Sequence, residues 1–216
     1  MTVKILKTHV CYEDIVRFLP FVSEERRRNI QSSLNEEYRI TSLMTELFIR
    51  AELADTVGLL PHELRLGRRE HGKPFLSGRE DVHFSVSHSD GWIAFVRDDA
   101  PVGLDIQRIS HRERKPAMNF FTASERELIL SSDDPDGCFF RAWTAKEAYI
   151  KLLGTGLSTP LRSVDTVALR GKYGFASAVT EGFAVTVCST KADVDMQLVD
   201  VSQEALLGRW GEAISV

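Results

Sequence analysis

The sequence predicts an α+β protein of mainly antiparallel sheets, on three observations. Two long stretches, 23–59 and 139–153, carry helical patterning. Residues 83–96 form a hairpin pattern around an Asp-Gly turn. The chain from 161 onward is rich in short, strand-like apolar runs.

Residues 3–10 read as a first short strand. In the stretch 23–59, Leu43, Leu47 and Leu53 are among the apolar positions and Gly58 is the stop signal. The segment "RREHGKPFLSGRED" has turn chemistry, with Gly72-Lys73-Pro74 at its centre. In "VHFSVSHSDGWIAFV", Phe84 and Val86 alternate with His83, Ser85 and Ser87, and Asp90-Gly91 turns the chain back. "VGLDIQRI" is another strand, with Val102, Leu104 and Ile106 on one face and Gly103, Asp105 and Gln107 on the other. Thr122 or Ser124 caps a helix in "FFTASERELILSS", and the cluster "SDDPDG" ends it. The helix of 139–153 stops at Gly154. "SVDTVAL", "FAVTVCS" and "VDMQLVDV" then read as strands, and the chain divides near residue 101 into two similar layers.

Composition narrows the function. The 216 residues suffice for one large domain or two halves sharing a core. Lys and Arg total 27 against 31 Asp and Glu, a net charge of −4, so no general attraction to nucleic acid or an anionic membrane is expected. Apolar runs such as "WIAFV" are strand-sized, and the opening "MTVKILKTHV" lacks the apolar core of a signal peptide. Three scattered cysteines, Cys11, Cys138 and Cys188, have no metal-ligand spacing and point to a reduced, cytoplasmic compartment.

Several polar positions invite a functional reading. Glu147 and Lys151 lie four apart on one helix face, with Trp143 a turn earlier. The ordinary reading is a solvated ion pair worth about 0.3–0.5 kcal/mol. Lys146 beside the pair and the loop "GTGLS" after it suggest instead a charged surface that meets a ligand. Asp105 sits within an apolar strand, where a carboxylate must reach water, pair with a cation or hold a metal, and Gln107 shares its face. Ser, His and Asp in "SVSHSDG" evoke a hydrolase, but no Gly-x-Ser-x-Gly elbow occurs and such residues ordinarily form turns. Ser87, His88 and Lys73 can bind phosphate oxygens, while Arg26, Arg27 and Arg28 form either a solvated helix face or an anion grip. Two acids on different elements, ringed by cations, suit a divalent ion, a pyrophosphate and phosphoryl-transfer chemistry.

"GKPFL", "HFSVSHS", "VGLDIQ", "FFTASERE" and "FFRAWTAKEAYIKLLGTGLS" resemble, in this order, motifs of the 4′-phosphopantetheinyl transferases of the surfactin-synthetase-activating (Sfp) type. The stretch "SEERRRNIQSSL…TSLMTELFIR" resembles the family's coenzyme-binding helix more loosely. The resemblance implies a monomer of two similar α/β halves related by a pseudo-twofold axis, each a sheet with a long helix. Residues 1–101 would supply coenzyme A contacts and residues 102–216 the metal and catalytic groups. It implies Mg²⁺-dependent transfer of phosphopantetheine from coenzyme A to a serine of an apo acyl or peptidyl carrier protein, releasing adenosine 3′,5′-bisphosphate.

By resemblance, Asp105 and Glu147 hold the metal, with Gln107 beside them where many relatives carry a third acid. That neutral amide leaves the Mg²⁺ or Mn²⁺ preference open. Lys151 neutralises the leaving phosphate, and either Glu147 or a metal-activated water takes the serine proton. Lys73, Ser87, His88, Lys146 and Lys151 are expected at coenzyme A phosphates, Arg26 near the 3′-phosphate, and Ser42 at the nucleotide. Asn29 replaces a lysine found in some relatives, so the 3′-phosphate is held less tightly or by Arg27 or Arg28. Ser85 replaces a common asparagine. Acidic carriers are expected to meet "HRERKPAMNFF", where Arg112, Arg114 and Lys115 precede Met118 and Phe120. The alternatives are a non-catalytic coenzyme A-binding module and a metal-free Ser/His hydrolase.

Overall fold

A computed structural model describes residues 1–110 and 117–211. In chain order, its elements begin with β1 (Thr2–Lys7), α1 (Tyr12–Ile15), α2 (Glu24–Ser32) and α3 (Glu36–Val57). There follow β2 (Leu66–Arg68), β3 (Pro74–Leu76), β4 (His83–Ser89), β5 (Trp92–Asp98) and β6 (Val102–Arg108). The remainder is α4 (Ala123–Leu130), α5 (Pro135–Leu153), α6 (Thr166–Leu169), β7 (Gly174–Thr180), β8 (Phe183–Ser189), β9 (Gln197–Val201) and α7 (Gln203–Gly208).

Two sheets pack face to face. The first has the order β4-β5-β1-β9, antiparallel except for β9, which runs parallel to β1. The second is the antiparallel set β6-β8-β7. Their inner faces join Val3, Ile5, Ala94 and Val96 to Leu104, Ile106, Val185 and Val187, and Trp92 stacks on Phe183 at 4.3 Å between ring centroids. On the outer side of the first sheet, Leu47 and Phe48 of α3 bury Phe84, Ile93 and Phe95. On the outer side of the second, Ala148 and Leu152 of α5 pack on Cys188 of β8. Period-two alternation in each strand therefore feeds a helix layer on one side and the shared core on the other.

Local chemistry sets the element ends. Asp90 (φ 44°) and Gly91 (φ 76°) both take left-handed conformations, the geometry of a tight hairpin turn. Gly154 ends α5 in the left-handed region at φ 70°. Thr122, rather than Ser124, caps α4, in a reciprocal box with Glu125.

The structure departs from the sequence reading in three places. The helical stretch 23–59 is two helices, because Asn35 accepts from Tyr38 N–H and starts α3 afresh. "SVDTVAL" forms α6 instead of a strand: Asp165 accepts from the Val167 and Ala168 amides. The chain after 196 does not stay with the second sheet. It returns as β9 alongside β1, and Leu206 and Trp210 enter the core under α3. Among the described residues, no helix is long and apolar enough to cross a membrane, and all three cysteines are unpaired. Arg112, Arg114 and Lys115 of the expected carrier surface lie outside the described residues.

Candidate active site

The seam between the two sheets is polar at β4. Ser85, Ser87 and Ser89 stand cross-strand from Val96, Ala94 and Trp92, so all three hydroxyls face β6. Ser85 Oγ accepts from Leu104 N–H at 3.0 Å and Ser89 Oγ from Arg108 N–H at 3.1 Å. Ser87 donates to Asp105 Oδ1 at 2.7 Å. The serine repeat thus docks the edge of one sheet against the edge of the other and aims Asp105 away from the apolar core.

Asp105 meets α5 because Gly103, two residues earlier on the same face, has no side chain. A Cβ there would lie 1.9 Å from the Ala148 carbonyl oxygen and 2.5 Å from Leu152 N. The helix therefore rests directly on the strand, and its next turn delivers Lys151 to Asp105. Lys151 Nζ donates to Asp105 Oδ1 at 2.7 Å and to Ser87 Oγ at 2.7 Å. The ordinary reading of Glu147 and Lys151 as a helix-surface pair gives way to a bond across elements.

Glu147 faces the same space. Partial withdrawal from water raises its proton affinity above the usual glutamate value, Asp105 raises it further, and Lys151 partly opposes both. Among the described residues, no hydrogen bond reaches the Glu147 carboxylate or Asp105 Oδ2. No group of three or more His, Cys, Asp and Glu side chains converges among them either. The donor set is therefore two carboxylates with the Gln107 amide on the same wall. Two carboxylates, one of them paired with Lys151 through Oδ1 and free at Oδ2, are hard oxygen donors that suit Mg²⁺, which commonly takes one or two protein carboxylates and completes its shell with water and phosphate.

These groups line a crevice of about 830 Å³ between the halves. Arg26, Arg68 and Lys73 make its walls cationic toward α2 and the β2–β3 hairpin, and His71 and His88 add imidazoles to the same walls. Arg26 is held by Glu46, at 2.8 Å from Nε to Oε2, and donates to both the carbonyl and the hydroxyl of Ser42. It also opens onto a second, smaller hollow shared with Asn29, Ser42, Arg68 and His88. Lys73 donates to the carbonyls of Val102 and Leu152, at 3.2 and 3.0 Å, and burial lowers its pKa to about 8, with Arg69 contributing. His88 projects from the opposite face of β4 to Ser87; desolvation, then Lys151 and Arg26, depress its pKa, with Asp105 opposing.

Geometry corrects one expectation and removes one alternative. Lys146 does not reach the crevice: its ammonium is fully buried, 2.6 Å from Glu125 Oε2, and donates to the carbonyls of Leu161 and Val164. It points away from Glu147 because neighbours on a helix are about 100° apart. The Ser/His hydrolase arrangement is also missing, since Ser87 bonds Asp105 and Lys151 while His88 lies on the other side of the strand. The sequence places Gly103 on the Asp105 face, but its role in bringing α5 close shows only in the structure, although a glycine inside a strand is a signal of close approach. The sequence reading overlooked His71, Arg68 and Leu157 in the crevice wall.

Comparison with known proteins agrees with this architecture. Residues 101–199 match the profile described as the 4′-phosphopantetheinyl transferase superfamily, and residues 9–99 match that of the 4′-phosphopantetheinyl transferase N-terminal region. The chain belongs to the 4′-phosphopantetheinyl transferase family. It is 28% identical to 4′-phosphopantetheinyl transferase Sfp of Bacillus subtilis over 210 residues, covering 90% of this chain and 94% of the relative. It is 35% identical to the transferase gsp of Aneurinibacillus migulanus over 66% of this chain and 60% of that one. The L-aminoadipate-semialdehyde dehydrogenase-phosphopantetheinyl transferase of Saccharomyces cerevisiae is 30% identical over 76% of this chain and 64% of its own length.

Proposed function

We propose that this chain is a holo-carrier-protein synthase, transferring 4′-phosphopantetheine from coenzyme A to a serine of an apo acyl or peptidyl carrier protein. The observation that carries the proposal is the union of Asp105 of β6 with Glu147 and Lys151 of α5 within a cation-lined crevice.

Coenzyme A presents a pyrophosphate and a 3′-phosphate, and the crevice offers a cation for each. Lys73 and His88 hold the pyrophosphate, while Arg26, fixed by Glu46, meets the 3′-phosphate beside Ser42. Ser87 positions Lys151 and Asp105, accepting from the first and donating its proton to the second. Mg²⁺, or Mn²⁺, would be held by Asp105 and Glu147 with Gln107 beside them. When bound it neutralises charge on the pyrophosphate, the larger part of phosphoryl-transfer catalysis.

In the transfer, the carrier serine oxygen forms a bond to the phosphorus that bears pantetheine. The phosphoanhydride bond breaks, and adenosine 3′,5′-bisphosphate leaves with the electron pair. Lys151 hydrogen-bonds the departing oxygen. Glu147, whose raised proton affinity brings it nearer neutrality, accepts the serine proton directly or through water. We read residues 1–101 as the source of most coenzyme contacts and residues 102–216 as the source of the catalytic groups, in a cytoplasmic monomer.

The test is mass spectrometry of apo carrier proteins incubated with the chain, coenzyme A and Mg²⁺. A gain of one phosphopantetheine on serine is expected. Coenzyme A binding without any modified carrier would instead favour a non-catalytic binding module.

A further inference from the structure

We propose that Glu125 and Lys146 are positioning residues that hold the acceptor-side wall of the crevice, so that they govern carrier recognition without touching coenzyme A. This rests on the transfer reading above and deepens it.

The two side chains form a fully buried ion pair in which every hydrogen bond is directed. Glu125 Oε1 accepts from the amide and hydroxyl of Thr166, at 2.9 and 2.8 Å, and Oε2 accepts from Thr122 N–H and Lys146. Lys146 spends its other two protons on the Leu161 and Val164 carbonyls. One charge cluster thereby ties α4, the middle of α5 and both ends of the segment 161–166. A pair with both charges dehydrated is weak evidence for stability, and its satisfied geometry is better explained by a need for position.

What it positions follows from the path of the chain. The loop after α5 begins against the hairpin, where Gly154 lies beside Lys73 and Gly156 beside His71. It ends at Leu161–Ser163, packed near Met118–Phe120. Thr159, Pro160, Leu161 and Arg162 line the crevice on that side, together with exposed Phe120 and Leu157. The cationic wall continues the other way, because Arg26 and Arg68 also line the second hollow. Coenzyme phosphates fill the cationic side, so the acceptor serine approaches Glu147 past the wall that Lys146 holds. Lys146 and Glu147 are adjacent, so the same residue pair sets both the helix face that reacts and the wall beside it.

The experiment replaces the ion pair by near-isosteric neutral groups, Glu125→Gln with Lys146→Met, and measures steady-state kinetics against apo carrier and binding of coenzyme A. KM for the carrier should rise about tenfold while kcat and coenzyme A affinity change less than about twofold, the mark of lost binding to one substrate alone. Hydrogen exchange at Thr166 N–H should accelerate. Thr166→Val, which leaves the ion pair intact, should raise the carrier KM about threefold and serves if the double variant does not fold. An unchanged carrier KM, or equal losses in kcat and coenzyme A affinity, would overturn the inference. If the unaltered chain fails to modify any carrier, the transfer reading is wrong, and Thr166 exchange then decides the wall's anchoring by itself: unchanged exchange overturns it.

Discussion

Lys151 reaches past Glu147, its neighbour on α5, to bond Asp105 of β6 at 2.7 Å. A helix-surface pair would be a minor ornament, whereas this bond joins the helix to the strand at a carboxylate that is itself buried. Lys151→Met should lower kcat by about 100-fold or more, the usual loss when a charge-stabilising group at a transferring centre is removed. Stability should fall by only about 1–2 kcal/mol, since Ser87 still donates to Asp105 and the lysine is partly exposed. Single-turnover kinetics and a denaturant melt check both; unchanged turnover would return Lys151 to a structural role.

Glu147 gives a pH signature. Its folded-state proton affinity lies above the unfolded value, so the native state holds the proton more tightly. Stability contributed by this group is full below the ordinary glutamate range and is lost as pH rises through the higher folded value. Glu147→Gln should remove that decline and stabilise the metal-free protein near neutrality. Denaturant midpoints between pH 4 and 8 test it, and a steeper decline in the variant contradicts it.

Lys73 gives the opposite window. With a folded pKa of about 8, it is charged at neutrality and neutral at pH 9. Coenzyme A affinity should be flat below about pH 7.5 and weaken above 8, because the polyanion loses a cation. Lys73→Arg should extend the plateau, as arginine stays protonated throughout. Calorimetric titration from pH 6.5 to 9.5 reads this directly, and an identical decline in the variant assigns it to another group.

Gly103→Ala should be costly out of proportion to its size. The added methyl would meet the Ala148 carbonyl at 1.9 Å, and backbone cannot yield as a side chain does. A loss of about 1–3 kcal/mol is expected from overpacking. Activity should fall by about 100-fold even where the protein remains folded, since Glu147 and Lys151 shift relative to Asp105. Thermal melting beside kcat separates the two effects, and a folded variant with full kcat contradicts the close-approach account.

What the sequence disclosed was periodicity and local chemistry. The Asp-Gly turn, the Gly58 and Gly154 stops and the alternation in β4 and β6 are each set by a few adjacent residues. Asp105 and Glu147 were legible because a carboxylate in an apolar strand and a charged face on an otherwise buried helix both demand an explanation. Partner choice was not legible. Lys151 bonds Asp105 and Lys146 bonds Glu125 because of how α5 lies on β6, and that contact depends on Gly103 and on residues distant in sequence. The return of β9 to β1 was invisible for the same reason: a parallel pairing between opposite ends of the chain leaves no local mark. "SVDTVAL" misled because its β-branched residues outweighed one capping aspartate.

In the proposed transfer, Asp105 and Glu147 together hold a divalent cation at the reacting phosphate. The direct measurement is carrier modification by the chain stripped with EDTA, before and after Mg²⁺ is restored, in the unaltered protein and in Asp105→Ala and Glu147→Ala. The account predicts that stripping abolishes transfer reversibly, and that each variant stays folded yet inactive at any Mg²⁺ concentration. Full transfer by the stripped protein, or by either variant, would contradict it.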